Sequence, residues 1–158
     1  MPKITLTPTQ KKDLRYFFEF QRDPEACYLA AFTSQDPNNK AAYLEKWEKL
    51  LLDPSIQVRT IKVGRAIAGS VGKYESMGEA QITYWLDRKC WGKGIATAAL
   101  QAFLEIETSR PMYGRVAFDN YGSQRVLEKC GFVKIGTETD FANARQAAIE
   151  EYVYQLGE

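Results

Sequence analysis

Two glycines one residue apart stand between a β-type segment and a helical one. The β-type segment runs from Gln81 to Leu86, and the glycines, Gly92 and Gly94, follow a short polar connection. Apolar residues then recur at helical spacing, which predicts that a helix opens at the glycines: Ile95, Ala98, Ala99, Ala102 and Phe103. A helix start leaves about four backbone N–H groups unpaired and carries partial positive charge. Glycine lets a ligand come close to such a backbone, so the segment predicts a phosphate-binding turn.

The absence of histidine limits the acid–base chemistry that this chain could perform. It excludes Ser-His-Asp and Cys-His triads and any metal site that depends on imidazole. The three cysteines, Cys27, Cys90 and Cys130, are widely separated and lack metal-ligand spacing, so we expect free thiols and no metal. Asp, Glu, Tyr, Lys, Cys, water or a chain terminus must therefore supply any acid or base.

Composition and charge exclude several classes of partner. The chain has 158 residues, 45% hydrophobic and 26% charged, which predicts a single domain over residues 1–158. Its net charge of +1 gives no field that would attract nucleic acid or a membrane surface. No apolar run approaches the roughly 20 residues that span a bilayer. The first seven residues are too polar for a secretory signal, so we expect a cytoplasmic protein, either a monomer or a homodimer.

The elements that must position the glycine turn can be placed from hydrophobic periodicity and turn residues. Strands are predicted at 4–7, 58–63, 66–74, in the segment feeding the turn, and at 113–118, 132–137 and 150–155. Helices are predicted at 9–20, 24–32, 40–52, 92–107 and 120–129. One strand, helices, three strands, helix, strand, helix and two strands predict an α+β fold with a mixed central sheet flanked by helices.

The glycine turn and a second segment resemble the motifs of one enzyme superfamily. Residues 91–97, Trp-Gly-Lys-Gly-Ile-Ala-Thr, are similar to the pyrophosphate-binding motif of the GNAT acetyltransferases, Gln/Arg-x-x-Gly-x-Gly/Ala, with Lys89 in its first position. With the preceding Tyr-Trp-Leu, they most resemble the branch that includes RimJ-like and RimL-like N-acetyltransferases. Residues 120–132 match the superfamily's Asn-x-x-Ser-x-x-x-Leu-x-x-x-Gly-Phe pattern. The order of elements also agrees, so the resemblance implies the GNAT fold.

The resemblance implies that the chain binds acetyl coenzyme A. Backbone N–H groups of the turn would hold the pyrophosphate, and two parallel strands that splay apart would leave a strand edge for the pantetheine arm. The residues so assigned to the cofactor are Tyr84, Trp85, Leu86, Lys89, Gly92, Lys93, Gly94, Ile95, Ala96, Thr97, Asn120 and Ser123. Taken singly, the glycines also fit an ordinary tight turn, and Asn120 also fits an ordinary helix cap.

Transfer of an acetyl group to an amine needs a deprotonated amine, a hydrogen-bond donor for the oxyanion, and a proton for the departing thiolate. The catalytic candidates are Glu79, Gln81 and Tyr84. Gln81 stands where related enzymes have glutamate, and glutamine cannot accept a proton. Leu127 stands where they have the tyrosine that acts as general acid. Tyr121 and Tyr84 are the alternative candidates for the general acid. The general base is therefore left open between Glu79, acting through water, and the substrate itself.

The predicted function is N-acetyl transfer from acetyl-CoA to a primary amine, either of a small molecule or of a protein N-terminus, in a ternary complex. An α-amino group has a pKa of about 7.7–8.0 against about 10.4 for lysine, so it needs less help from a base. The alternative is a non-catalytic coenzyme A sensor. We expect the acceptor pocket between the helices of residues 9–52 and the segment 141–145. There Arg145 could hold a carboxylate or phosphate of the acceptor, but we expect it to pair with Glu150 or Glu151.

Overall fold

The structure is a computed structural model, and it describes residues 3–157. The strands are β1 Ile4–Pro8, β2 Gln57–Val63, β3 Ala66–Ser76, β4 Glu79–Leu86, β5 Met112–Ala117, β6 Val133–Ala142 and β7 Ala147–Leu156. The α-helices are α1 Leu14–Gln21, α2 Pro24–Ala30, α3 Lys40–Leu52, α4 Ile95–Ile106 and α5 Tyr121–Lys129. Single 3-10 turns at Lys11–Asp13 and Arg88–Cys90 precede α1 and α4.

All the strands form one seven-stranded sheet in the order β1-β2-β3-β4-β5-β7-β6. Every neighbouring pair is antiparallel except β4 and β5, which are parallel. The predicted mixed sheet flanked by helices is therefore confirmed. The parallel pair is also the shortest, because it consists of Ala80 with Met112 and Gln81 with Tyr113 alone.

The main hydrophobic core lies between the sheet and α4. Alternation along β4 sends Ala80, Ile82 and Leu86 to this face, since successive side chains of a strand point to opposite faces. The apolar stripe of α4 covers them, and its Leu100 and Phe103 are fully buried. Gly114 on β5 has no side chain because Leu127 of α5 packs there: an added Cβ would lie 3.0 Å from the Leu127 methyl.

The other face of the sheet is covered by α1 and α2, and α3 packs against α1. Leu14, Phe17 and Phe18 of α1 are buried against this face. Asp13 at the start of α1 is also buried, and its carboxylate accepts a 2.9 Å hydrogen bond from the Thr60 hydroxyl of β2. The Trp85 indole of β4 donates to the Phe20 carbonyl over 3.2 Å, which ties the end of α1 to the middle of the sheet.

Several element boundaries differ from those that the sequence predicted. Helix α4 begins at Ile95 rather than Gly92, because Gly92 and Gly94 both have positive φ, 73° and 75°. The first predicted helix is shortened by the 3-10 turn at its start. Strands β6 and β7 are longer than predicted, because they continue as a hairpin to Ala142 and Ala147. Nearly every residue of β6 is exposed, so its sequence lacks the alternation from which its length could be predicted.

Candidate active site

The divergence of β4 from β5 creates an opening in the middle of the sheet. The strands are paired at Ala80 and Gln81, and past that point the β5 side of β4 has no ladder partner among the described residues. The unpaired edge runs from Ile82 to Leu86, which includes the predicted pantetheine segment Tyr84, Trp85 and Leu86. An unpaired strand edge offers N–H and C=O groups to an extended ligand with peptide-like amides.

The glycine turn lies at the carboxyl end of this opening, where β4 connects to α4. Gly94 is the N-terminal cap residue of α4, and within residues 3–157 no side chain caps the helix. An added Cβ on Gly92 would meet nothing within 4 Å, so this side of the turn faces open space. The first amides of α4 thus lie at an exposed turn, where the helix dipole adds positive potential.

The basic residues around the turn divide into two groups. Arg88 is held by carboxylates of α2 and its cap residue: its guanidinium contacts both carboxylate oxygens of Asp23 at 2.6 Å and Glu25 at 2.6 Å. Lys89 and Lys93 are exposed, and neither forms an ion pair in the part of the chain that the structure describes. Their charges are therefore available to a phosphate group.

The second motif lies across the opening, at the start of α5. The Asn120 side-chain oxygen accepts from the Ser123 N–H over 3.3 Å, so this residue does cap the helix. The Ser123 hydroxyl is 2.5 Å from the Tyr84 hydroxyl of β4. This hydrogen bond joins the two sides of the opening. Burial raises the pKa of Tyr84 to about 12, so at neutral pH the phenol keeps its proton and can act as a donor.

The remaining acid–base candidates lie in different surroundings. Gln81 is buried, at 4% exposure, on the face of β4 opposite to Tyr84. Glu79 lies before the paired residues of β4, at the closed end of the opening. There, loss of hydration and then the neighbouring Glu79 carboxylate raise the pKa of the Tyr113 hydroxyl. Leu127 is a core residue, and Tyr121 is 63% exposed.

A group of polar residues that the sequence did not single out lies on the same sheet face as Gln81. The Arg115 guanidinium on β5 contacts Glu138 of β6 at 2.6 Å and Glu151 of β7 at 3.5 Å. Burial raises the pKa of the Tyr74 hydroxyl on β3, the positive charge of Arg115 lowers it and the negative charge of Glu151 raises it, so this phenol lies near both. Sequence reasoning missed the group because its members come together only through the pairing of distant strands.

The β6–β7 hairpin is tied to the end of α2. The Arg145 guanidinium donates to both carboxylate oxygens of Asp119, at 2.8 and 3.0 Å, and to the Tyr28 carbonyl at 2.6 Å. The prediction that Arg145 pairs with Glu150 or Glu151 is therefore wrong. Its side chain is only 6% exposed, so Arg145 serves to join α2, the end of β5 and the hairpin.

The three cysteines are free thiols, as predicted. The described residues contain no group of His, Cys, Asp and Glu side chains that could hold a metal ion. Within the same residues, we find no helix with the length and hydropathy needed to cross a membrane.

Comparison with known proteins agrees with this geometry. A family model described as "Acetyltransferase (GNAT) domain" matches residues 3–133. The chain therefore belongs to the GNAT family of acetyl-CoA-dependent N-acetyltransferases. A curated protein of Bacillus licheniformis, "Uncharacterized N-acetyltransferase p20", is 23% identical to it, over 98% of this chain and 92% of that protein.

Solved structures of this family share the fold at low sequence identity. The microcin C7 self-immunity acetyltransferase MccE, solved with acetyl-CoA and AMP, superposes with a TM-score of 0.80 at 19% identity, covering 100% of this chain and 94% of that one. RimL, a ribosomal L7/L12 α-N-protein acetyltransferase solved with coenzyme A, gives 0.81 at 16%, covering 99% and 96%. Spermidine N-acetyltransferase from Vibrio cholerae, solved with coenzyme A and spermine, gives 0.77 at 19%, covering 96% and 95%.

Proposed function

We propose that this protein acetylates a primary amine, of a small molecule or of a protein N-terminus, in a ternary complex with acetyl-CoA, as a RimJ/RimL-like enzyme. One observation carries the proposal: the unpaired edge of β4 ends at the same turn at which the uncapped amides of α4 begin. A diphosphate at the turn would leave the attached pantetheine arm alongside β4.

The residues around the opening fit such a ligand. The backbone of Gly92 to Thr97 would hold the pyrophosphate, with Ile95 and Ala96 contributing main-chain N–H groups of the first helical turn. Lys89 and Lys93 would balance the phosphate charge, while the main chain of Tyr84, Trp85 and Leu86 would bond the pantetheine amides. On the far side, the side-chain nitrogen of Asn120 would bond the same arm, since its oxygen is used for the helix cap.

Acetyl-CoA would supply an activated acetyl group, and the side chains around the opening would position it and move protons. An N–H group of the Tyr84–Leu86 segment would donate to the carbonyl oxygen as negative charge develops there. Tyr84 and Ser123 would be the proton donors on the side of the sulfur, because the raised pKa keeps the phenol protonated. Gln81 would orient the acceptor or a water molecule, since its amide cannot take a proton. Glu79, at the closed end, would act only through water.

Two kinds of amine acceptor occur among the structural relatives. RimL is named for a protein N-terminus, and the Vibrio cholerae enzyme for spermidine. A carboxylate-bearing sheet face beside the opening suits an acceptor that arrives as an ammonium ion. The alternative, a coenzyme A sensor without activity, is supported by Gln81 and Leu127, which replace the acid–base residues of the family pattern.

The test has two parts. Purified protein is mixed with acetyl-CoA and, in turn, spermidine, an aminoglycoside and a tripeptide with a free N-terminus, and thiol release is measured. Release with at least one amine, together with an acetylated product in mass spectrometry, would support the enzyme. If none of the amines is acetylated while acetyl-CoA still binds in calorimetry, the sensor is the better description.

The second part tests the glycine turn. Gly92→Asp places a carboxylate where the phosphates would lie, so we expect at least a tenfold loss of acetyl-CoA affinity in calorimetry, about 1.4 kcal/mol. Gly64→Asp is the matched control, because Gly64 also has positive φ and open space around it but lies in the β2–β3 hairpin. Equal acetyl-CoA affinities in the two variants would contradict the proposed phosphate-binding turn.

A further inference from the structure

We propose that Glu151, held by Arg115, is the catalytic base that takes the proton from the acceptor amine. This inference rests on the proposed function. Glu151 would accept the proton directly, whereas Gln81 cannot accept a proton and Glu79 would act only through water.

The register of the sheet places Glu151 next to the opening. Glu151 is the ladder partner of Ala117, and Arg115 is the partner of Val153, so β7 lies directly beyond the part of β5 that has left β4. If the β4–β5 register continued past Gln81 and Tyr113, Thr83 would face Arg115 and Trp85 would face Ala117. Paired residues of a ladder point to the same face, so Gln81, Arg115 and Glu151 all point to one side of the sheet.

The surroundings of Glu151 suit a catalytic base that is largely shielded from water but still accessible to the acceptor amine. Its side chain is 13% exposed, whereas Glu138, the other partner of Arg115, is 59% exposed. Arg115 approaches Glu138 to 2.6 Å and Glu151 to only 3.5 Å, so the Glu151 carboxylate keeps room for another donor. Within residues 3–157, no other hydrogen bond to this carboxylate is found.

The groups facing Glu151 tune its proton affinity in both directions. Burial raises the pKa of Glu151, the Arg115 charge of β5 lowers it, and Asp140 and Glu138 of β6 raise it. Tyr74 of β3 is close enough for the Glu151 charge to raise the pKa of its hydroxyl. The net shift is upward, toward the operating range in which a carboxylate works as a base.

The other carboxylate considered for this role is worse placed. Glu79 precedes the paired residues Ala80 and Gln81, so the continuous part of the sheet separates it from the opening. Glu151, in contrast, lies at the level at which β4 and β5 have separated. A cationic acceptor between Gln81 and Glu151 would have a negative charge beside it and the thioester at the opening.

Two protons leave the ammonium nitrogen in the proposed step. One N–H bond of the ammonium group breaks, its proton bonds to a Glu151 oxygen, and its electron pair stays on nitrogen. That pair forms the C–N bond as the C–S bond breaks, and the sulfur receives the second proton that nitrogen loses, through the Tyr84 hydroxyl. Glu151 returns its own proton to solvent, so one proton is released for each amine acetylated.

The experiment compares Glu151→Gln with Glu150→Gln, using whichever of spermidine, the aminoglycoside and the tripeptide the wild type acetylates fastest. We expect kcat of Glu151→Gln to fall by about 10²- to 10⁴-fold, with loss of the acid limb of the pH profile. We expect Glu150→Gln, which removes an exposed carboxylate from the opposite face of the same strand, to change kcat by less than about threefold. Calorimetry with acetyl-CoA should give the same affinity for both variants and the wild type.

A measurement without turnover completes the test. NMR of protein labelled with ¹³C at glutamate side-chain carboxyls identifies the Glu151 signal as the one that Glu151→Gln lacks. We expect that signal to titrate with a pKa above the ordinary glutamate value of about 4.3. A wild-type kcat and acid limb in Glu151→Gln, or an ordinary titration of that signal, would overturn the assignment and leave the proposed function intact. If the wild type acetylates no amine, the proposed function fails and this inference fails with it.

Discussion

Gly69 of β3 is the position at which one methyl group should disturb both the sheet and the site. A Cβ built on Gly69 would lie 2.0 Å from the Trp85 carbonyl oxygen of β4, against the 3.0 Å below which real Cβ contacts essentially do not occur. The obstacle is main chain rather than a flexible side chain. Gly69→Ala therefore requires β3 and β4 to move apart by about 1 Å, the difference between the two distances.

The energetic cost follows from that displacement. Overpacking costs about 1–3 kcal/mol, and we expect the upper end because the contact is with backbone. For a chain of this length each kcal/mol lowers Tm by about 2–4 °C, so about 3 kcal/mol corresponds to about 6–12 °C. A 1 Å displacement of reacting groups can also cost about 10²-fold in rate. Since Trp85 lies in the proposed pantetheine segment, we expect kcat to fall by about that factor.

Thermal unfolding and amine acetylation of Gly69→Ala should be measured beside Gly136→Ala. Gly136 of β6 is the matched control, because an added Cβ there meets nothing within 4 Å and its φ is outside the left-handed region. We expect Gly136→Ala to stay within about 0.5 kcal/mol of the wild type. Equal Tm values for the two variants would refute the argument from the Trp85 carbonyl.

Two further predictions concern side chains near the opening. Tyr84→Phe keeps the ring and removes the proposed proton donor, so kcat should fall by about 10²-fold or more. Calorimetry should show an acetyl-CoA affinity changed by less than about threefold, because the main chain of residue 84 is retained. An unchanged kcat would exclude the phenol as the donor. Asp119→Asn breaks the pair with Arg145, whose side chain is 6% exposed. Urea unfolding at about pH 7 should therefore show a free energy of unfolding lower by about 2 kcal/mol. This loss is below the range for fully buried pairs because Asp119 is partly exposed. The hydrogen bond from Arg145 lowers the pKa of Asp119, so its contribution is complete above the ordinary value of 3.8 and declines as pH falls through the lower folded value. The difference between variant and wild type should therefore shrink in acid, and a constant difference would show that Asp119 contributes through packing alone.

The sequence by itself determined those features that depend on neighbouring residues. The left-handed turn before α4 follows from Gly92 and Gly94, because residues with a Cβ are strained at positive φ. The cap of α5 follows from Asn120, whose side chain reaches the Ser123 amide three residues later. The order of strands and helices, and with it the mixed sheet, followed from periodicity in the same local way.

Tertiary structure decided what depends on residues far apart in the chain. Arg145 was expected to pair with the nearby Glu150 or Glu151, but the fold brings Asp119 to it from the end of β5. The approach of Arg115 to Glu151 likewise requires β5 and β7 to be adjacent in the sheet. Periodicity reports only the face to which a side chain points, whereas ladder order and register depend on the free energy of the whole sheet. The sequence therefore located the proposed cofactor turn, and the folded sheet alone located the proposed base.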